Sequence, residues 1–182
     1  MNKQLLIFVA FAAVLAATVS GFSQSGNGKD VGVALNPVLV MFEWGSAEVN
    51  LWNVDRGAEI NIPIVFTRKP FFLDDQSHNT NFISTGVNYR RFFGQKQKGF
   101  FIQGGWKMDF ATASDGFQST TSTAHSVLFG LGFRVVAQNG LFWGTAINFG
   151  RTWGDLLDPY GGVARAEGPA LDFDLLKFGY AW

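Results

Sequence analysis

The sequence predicts an all-β protein: a closed, eight-stranded, antiparallel transmembrane β-barrel. Three observations carry this. Apolar and polar residues alternate with period two through eight separate segments, which is the signature of strands with one apolar face. The residues opposite the apolar ones are mostly Gly, Ala, Ser and Asn, which suit the inside of a narrow barrel. And aromatic residues make up 16% of the chain against 15% charged residues, where a soluble domain carries about 25% charged.

Residues 1–23 read as a secretory signal peptide, with Lys3 as the positive start and Leu5–Val19 as the apolar stretch. Gly21 and Ser23 then provide small residues before a cut at Gln24. The apolar stretch falls short of the roughly 20 residues that span a bilayer. The domain expected in the mature chain is 24–182. No later apolar run reaches spanning-helix length, so a membrane-embedded form has to be a closed barrel, because lipid tolerates no unpaired backbone.

After a Gly/Ser/Asn leader (Ser25–Asp30), VGVALNPVL (Val31–Leu39) sets Val31, Val33, Leu35 and Leu39 against Gly32, Ala34 and Asn36. SAEVNLW (Ser46–Trp52) sets Ala47, Val49 and Leu51 against Ser46, Glu48 and Asn50. AEINIPIVFT (Ala58–Thr67) sets Ile60, Ile62, Ile64 and Phe66 against Glu59, Asn61 and Thr67. Asn81–Phe93 alternates Ile83, Thr85, Val87 and Tyr89 with Ser84, Gly86, Asn88 and Arg90. Phe100–Phe110 points Phe100, Ile102, Trp106, Met108 and Phe110 one way, and Gln103, Gly105, Lys107 and Asp109 the other. His125–Val136 separates Val127, Phe129, Leu131, Phe133 and Val135 from Ser126, Gly130, Gly132 and Arg134. Leu141–Thr152 separates Leu141, Trp143, Thr145, Ile147 and Phe149 from Gly144, Ala146, Asn148 and Gly150. Leu171–Trp182 closes the set, with Leu176, Phe178, Tyr180 and Trp182 against Lys177, Gly179 and Ala181.

The connections alternate in length. Asn53–Gly57, Gly94–Gly99 and the hairpin signal Gln138–Gly140 are tight, whereas Arg68–Thr80, Ala111–Thr123 and Trp153–Ala170 are long. The first connection, near Phe42–Gly45, is a short exception. Short turns at one end and long loops at the other are the habit of outer-membrane barrels. A soluble secreted ligand-binding barrel is the alternative; its solvated outer face calls for many more Lys and Glu than are present. Pro63 and Pro37 stand against the pattern, since a closed sheet has no edge where a missing N–H goes unnoticed. Pro63 is expected to mark a bulge or the end of its strand.

On these residues the chain resembles the small eight-stranded outer-membrane β-barrels of the OmpA/OmpX type. The likeness is carried by NPVLVMF (Asn36–Phe42), the acidic strand AEVNLW, and KFGYAW (Lys177–Trp182). The resemblance implies that Phe178, Tyr180 and Trp182 form a C-terminal assembly signal read by the barrel-assembly machinery. It implies an outer-membrane location, with lipid and that machinery as partners, and a monomer. No periplasmic domain is expected after the barrel, so the anchoring role of OmpA does not carry over.

An eight-stranded interior is filled by side chains. The inward charges Glu48, Glu59, Arg90, Lys107, Asp109, Arg134 and Lys177 are therefore expected to form a paired network, with Glu48 and Glu59 joined to Arg90, Arg134 and Lys177, because an isolated buried ion is very costly. Barrels of this size that act on lipid use a histidine with a serine, which makes a lipid-modifying enzyme the other alternative. His125 and Ser126 point to opposite faces. Ser119 or Ser122 lies within reach, but no third orienting group is evident; His78 sits in a loop. No catalytic residues are expected. Asp74, Asp75, Asp109, Asp155, Asp158, Asp172 and Asp174 read as a solvated acidic rim near the loops. Without cysteine there are no disulfides, thiolate metal sites or cysteine nucleophiles. Lys+Arg and Asp+Glu are both 14, which speaks against nucleic acid. No metal and no cofactor is expected. The loops Arg68–Asn79 and Trp153–Pro169 are the candidates for a surface partner.

Overall fold

Alternation of this kind builds strands, and a computed structural model describes them over residues 31–41, 44–53, 57–67, 79–94, 97–114, 119–157, 163–165 and 167–182. They are β1 (Val31–Leu35), β2 (Trp44–Asn53), β3 (Ala58–Thr67), β4 (Asn79–Phe93), β5 (Gly99–Ser114), β6 (Ser119–Val136), β7 (Leu141–Leu157), β8 (Val163–Arg165) and β9 (Gly168–Ala181). One short helix, α1 (Pro37–Met41), follows β1. The expected signal peptide and leader lie outside the described residues, as do residues 68–78 with Asp74, Asp75 and His78, and Asp158.

Each strand from β1 to β7 pairs antiparallel with the next, β7 pairs with β9, and β9 pairs back on β1. The result is a closed ring of eight strands, consistent with a β-barrel. Closure runs through Gly32↔Ala181 to Leu35↔Phe178 and leaves no open sheet edge along those residues. The short β8 stands outside the ring and pairs with Asp155–Leu157 of β7. The ends of β2, β4 and β6 lie at one end of the ring with the start of β1 and the end of β9. The ends of β1, β3, β5 and β7 lie at the other, here called the loop end.

Four expectations change. The first strand stops at Leu35, not Leu39, because Asn36 caps a helix. Its Oδ1 accepts from the backbone N–H of Val38 at 3.1 Å and of Leu39 at 3.3 Å. Asn is a favoured N-cap, and Pro37 then occupies the first helical position, where a missing N–H is harmless.

Pro63 neither ends β3 nor makes a bulge. The β3–β4 pairing passes from Asn61↔Asn88 to Ile64↔Thr85 with equal spacing on both strands. Thr85 donates its Oγ1–H to the Pro63 carbonyl at 3.1 Å.

The strands at the loop end run further than their apolar stretches. Ser114↔Ser119 closes the β5–β6 ladder across the segment expected as a loop. Thr112 and Thr121 share a hydroxyl contact of 3.3 Å there, as β-branched polar residues suit a strand in water. Trp153–Leu157 likewise belongs to β7, and Gly168–Ala170 to β9.

Finally, β9 carries an irregularity. Gly144↔Lys177 is followed by Ala146↔Asp174, so two residues, Leu175 and Leu176, oppose Thr145 alone. Leu176 takes a positive φ of 43°. The extra residue switches the phase of the strand. Leu171 and Phe173 are exposed before it, and Leu176, Phe178 and Tyr180 after it; Asp172, Asp174 and Lys177 face inward.

Apolar packing inside the ring is concentrated at the tight-turn end. Trp52 meets Phe142 edge-on at 5.6 Å, and Phe92 meets Phe101 at 5.1 Å; all four are buried. Glycines make room for these rings. A Cβ on Gly132 would strike the Phe101 ring and stand 2.7 Å from the Thr145 carbonyl oxygen, and one on Gly179 would strike Phe142. Gly132→Val is accordingly expected to cost about 1–3 kcal/mol by overpacking. Gly168→Val, whose Cβ meets nothing within 4 Å, should leave the denaturant midpoint unchanged; equal midpoints for the two variants would contradict the packing.

Candidate functional site

The inward face of β2, β3, β4, β6 and β9 brings six charged side chains into one cluster. Glu59, fully buried between Trp52 and Arg90 in register, accepts hydrogen bonds from two arginines. Arg90 Nη1 donates to its Oε1 at 2.8 Å, and Arg134 Nη2 to the same oxygen at 3.0 Å. Arg134 Nη1 also donates to Oε2. Glu48 accepts from Lys177 Nζ at 2.5 Å and lies 3.5 Å from Arg90. Asp174 adds a third carboxylate, 2.7 Å from Lys177 and 3.6 Å from Arg90. Three carboxylates thus face three cations, and the cluster is formally neutral.

Neutral amides complete it. Asn50 donates to Glu48 at 3.2 Å, Asn61 to Asn50 at 3.0 Å, and Asn88 to Asn61 at 3.0 Å. This ladder crosses three adjacent strands because Asn50↔Asn61↔Asn88 are in register. Arg90 Nε donates to Gln103 at 2.6 Å, and Gln103 donates in turn to Asn148. Buried charge is tolerated when it is paired and its remaining hydrogen-bonding capacity is met, and that is the arrangement around Arg90.

Arg134 sits where the polar cluster meets the aromatic end. Its guanidinium carbon lies 4.9 Å from the Phe142 ring centre, 5.2 Å from Phe92, 5.6 Å from Trp52 and 6.0 Å from Phe101. A planar, weakly hydrated cation is suited to such faces. Between the cluster and these rings lies a cavity of about 10 Å³, space for about one water.

Lys107 and Asp109 stand apart from this cluster. Lys107 lies 3.8 Å from Asp109 and 3.8 Å from Asp172, nearer the loop end and more exposed. Asp174, expected on the loop rim, is instead in the interior. Beyond the bulge the inward phase of β9 includes it, and Leu175–Leu176 in the sequence is the signal of that switch. The four inward rings are a second omission. Each belongs to an adjacent apolar pair at the tight-turn end: Leu51–Trp52, Phe92–Phe93, Phe100–Phe101 and Phe142–Trp143. In a strand one member of such a pair has to face inward.

His125 is on the outer wall, stacked between Trp106 at 5.7 Å and Trp153 at 6.3 Å. Ser122 and Ser126 are buried inside, and Ser126 shares a 2.7 Å hydroxyl contact with Thr152. The sheet therefore stands between the histidine and both serines. Phe178 and Tyr180 are exposed on the same wall, and Trp182 stacks on Tyr180 at 6.1 Å.

The wall as a whole is apolar. Its exposed large hydrophobics run through every ring strand from β2 to β7 and β9, led by Phe100 at 69% and Phe129 at 65%. Interior and exterior are inverted relative to a water-soluble protein: Arg90, Glu59, Asn50 and Asn61 are among the largest fully buried side chains. The chain is thus an all-β, closed antiparallel ring of eight strands with a polar, charge-paired inside and an apolar outside. No family model, curated protein or solved structure matches it.

Proposed function

We propose that the chain is an exported, monomeric outer-membrane β-barrel of the OmpA/OmpX type. Its role is non-enzymatic: envelope structure, or presentation of the loop end to a surface partner. The inverted distribution of polarity carries this reading. An apolar wall facing water forfeits the hydrophobic gain of folding; facing lipid it carries no such penalty. Trp143 and Trp153 mark the depth of the wall. They face outward on β7 ten positions apart. With a rise near 3.3 Å and a tilt near 40°, that separation is about 25 Å, the height of a lipid-facing band between aromatic girdles. Above Trp153, β6 runs through Ser119–Thr123 and β7 carries Asp155, polar residues suited to a rim in water.

The interior cluster favours a structural role over chemistry, since its carboxylates and cations are committed to one another. Lipid and, during insertion, the barrel-assembly machinery are the proposed partners. Cell fractionation and detergent dependence test the reading. The folded protein should stay in solution only with detergent and migrate faster on a gel before boiling than after. Full solubility without detergent would refute it.

A further inference from the structure

An apolar wall makes its few ionisable groups conspicuous. At the outward positions of the ring strands, among the described residues, the acidic, basic or imidazole side chains are Arg91, His125, Arg151 and Asp155. Arg151 is exposed on β7 between the outward Phe149 and Trp153. Its cross-strand neighbours are Val127 on β6 and Pro169 on β9, so no carboxylate opposes it, and it makes no ion pair among the described residues. His125 pairs with Trp153, which makes it the diagonal neighbour of Arg151, within reach of a shared ligand. Trp106 and Trp153 hold the imidazole ring between them. Among the described residues, Asp155 on the same strand is in register with Arg165, and Glu167 is engaged by Arg165 at 3.2 Å.

We propose that Arg151 and His125, framed by Trp106 and Trp153, form a seat for the phosphate headgroup of a membrane lipid at the loop-side rim of the wall. This rests on the membrane reading above. A cation on a lipid-facing wall is costly at mid-depth and tolerated near the interface, and Arg151 lies two positions, about 5 Å, inside the upper tryptophan. A guanidinium binds phosphate through two parallel N–H donors. The imidazole supplies a further N–H donor even when neutral, and the flanking indoles suit the boundary between headgroup and acyl chain. Arg91, at the opposite rim, lies between Tyr89 and Phe93 and has no second basic group beside it among the described residues.

The test is reconstitution of the full chain into phosphatidylcholine vesicles containing brominated phosphatidate or brominated phosphatidylcholine, read by quenching of tryptophan fluorescence. The wild type should prefer phosphatidate about fivefold, equivalent to ~1 kcal/mol for one cation beside an anionic headgroup. Arg151→Gln should bring the preference close to parity. His125→Phe, which retains a ring in the stack, should reduce it independently of any effect of the first variant on folding. Inorganic phosphate in excess should leave the preference intact. Equal quenching by the two lipids in the wild type, or a preference kept by Arg151→Gln, overturns the proposal. Competition by inorganic phosphate would define a free-anion site and overturn the lipid assignment. Absence of quenching by brominated phosphatidylcholine itself would instead remove the membrane reading on which the seat depends.

Discussion

Glu59→Gln should destabilise the folded protein by about 3–5 kcal/mol, the cost of removing one partner from a buried ion pair. The side chain keeps its shape and its ability to accept a hydrogen bond, so the loss isolates the charge. Glu59 carries the direct ion pair of Arg134 and one of the pairs of Arg90. In the variant, Arg90 retains Glu48 and Asp174, whereas Arg134 is left among four rings with no carboxylate in contact among the described residues. The three-against-three balance becomes two carboxylates against three cations. Adding Arg134→Met restores it, with Arg90 and Lys177 facing Glu48 and Asp174, and places an adaptable apolar chain against Phe142, Phe92, Trp52 and Phe101. The double variant should therefore be more stable than Glu59→Gln alone, a non-additivity expected of groups in one network. Denaturant unfolding of the detergent-folded protein measures both. An unchanged midpoint in Glu59→Gln, or a double variant that sums the two single losses, would show that the cluster is not held by charge balance.

Much of this arrangement is legible in the sequence because period-two alternation assigns a face to each residue without reference to the rest of the chain. Ile60, Ile83, Tyr89, Phe129 and Phe149 are placed outward by parity alone, and the structure exposes all of them. Glu48, Glu59, Arg90, Arg134 and Lys177 are placed inward the same way and are buried. What parity hides is any event that resets it. The bulge at Leu175–Leu176 moves Asp174 into the cluster and so supplies the carboxylate without which the cations would be in excess. The Asn36 cap shortens β1, because a side chain–backbone hydrogen bond competes with the ladder, and parity has no term for that competition. The aromatic end of the interior escapes for a different reason. Phe92, Phe101 and Phe142 each stand beside an outward apolar residue, so the pair reads as a lapse in alternation, although each ring fills space left by Gly132, Gly179 or a neighbouring ring. Interior volume is a property of the closed ring, and strand-by-strand reading does not contain it.

Replacing Phe178, Tyr180 and Trp182 together by serine should abolish accumulation in the outer membrane while leaving export intact. These residues lie on the strand that closes the ring. β9 pairs with β1 from Phe178 through Ala181, and the backbone N–H of Trp182 donates to the carbonyl of Val31 at 3.1 Å. Phe178 and Tyr180 are about half exposed on the wall. With Val33, Leu35, Leu141 and Trp143 they line a wide apolar groove across the closing seam. On the membrane reading, each aromatic lost to serine forgoes about 2 kcal/mol of apolar burial, so the triple variant approaches the 5–15 kcal/mol that stabilises a typical domain. Replacing the same three residues by leucine keeps the apolar area and removes the aromatic pattern. In vitro, the leucine variant should fold into detergent and retain heat-modifiable migration, whereas the serine variant should not. In cells, a leucine variant that is exported but not inserted would locate the requirement in recognition of the aromatics by the assembly machinery; insertion would locate it in the wall itself. Normal outer-membrane accumulation of the serine variant would mean that the seam closes without its apolar face, and the proposed membrane wall would lose its strongest physical support.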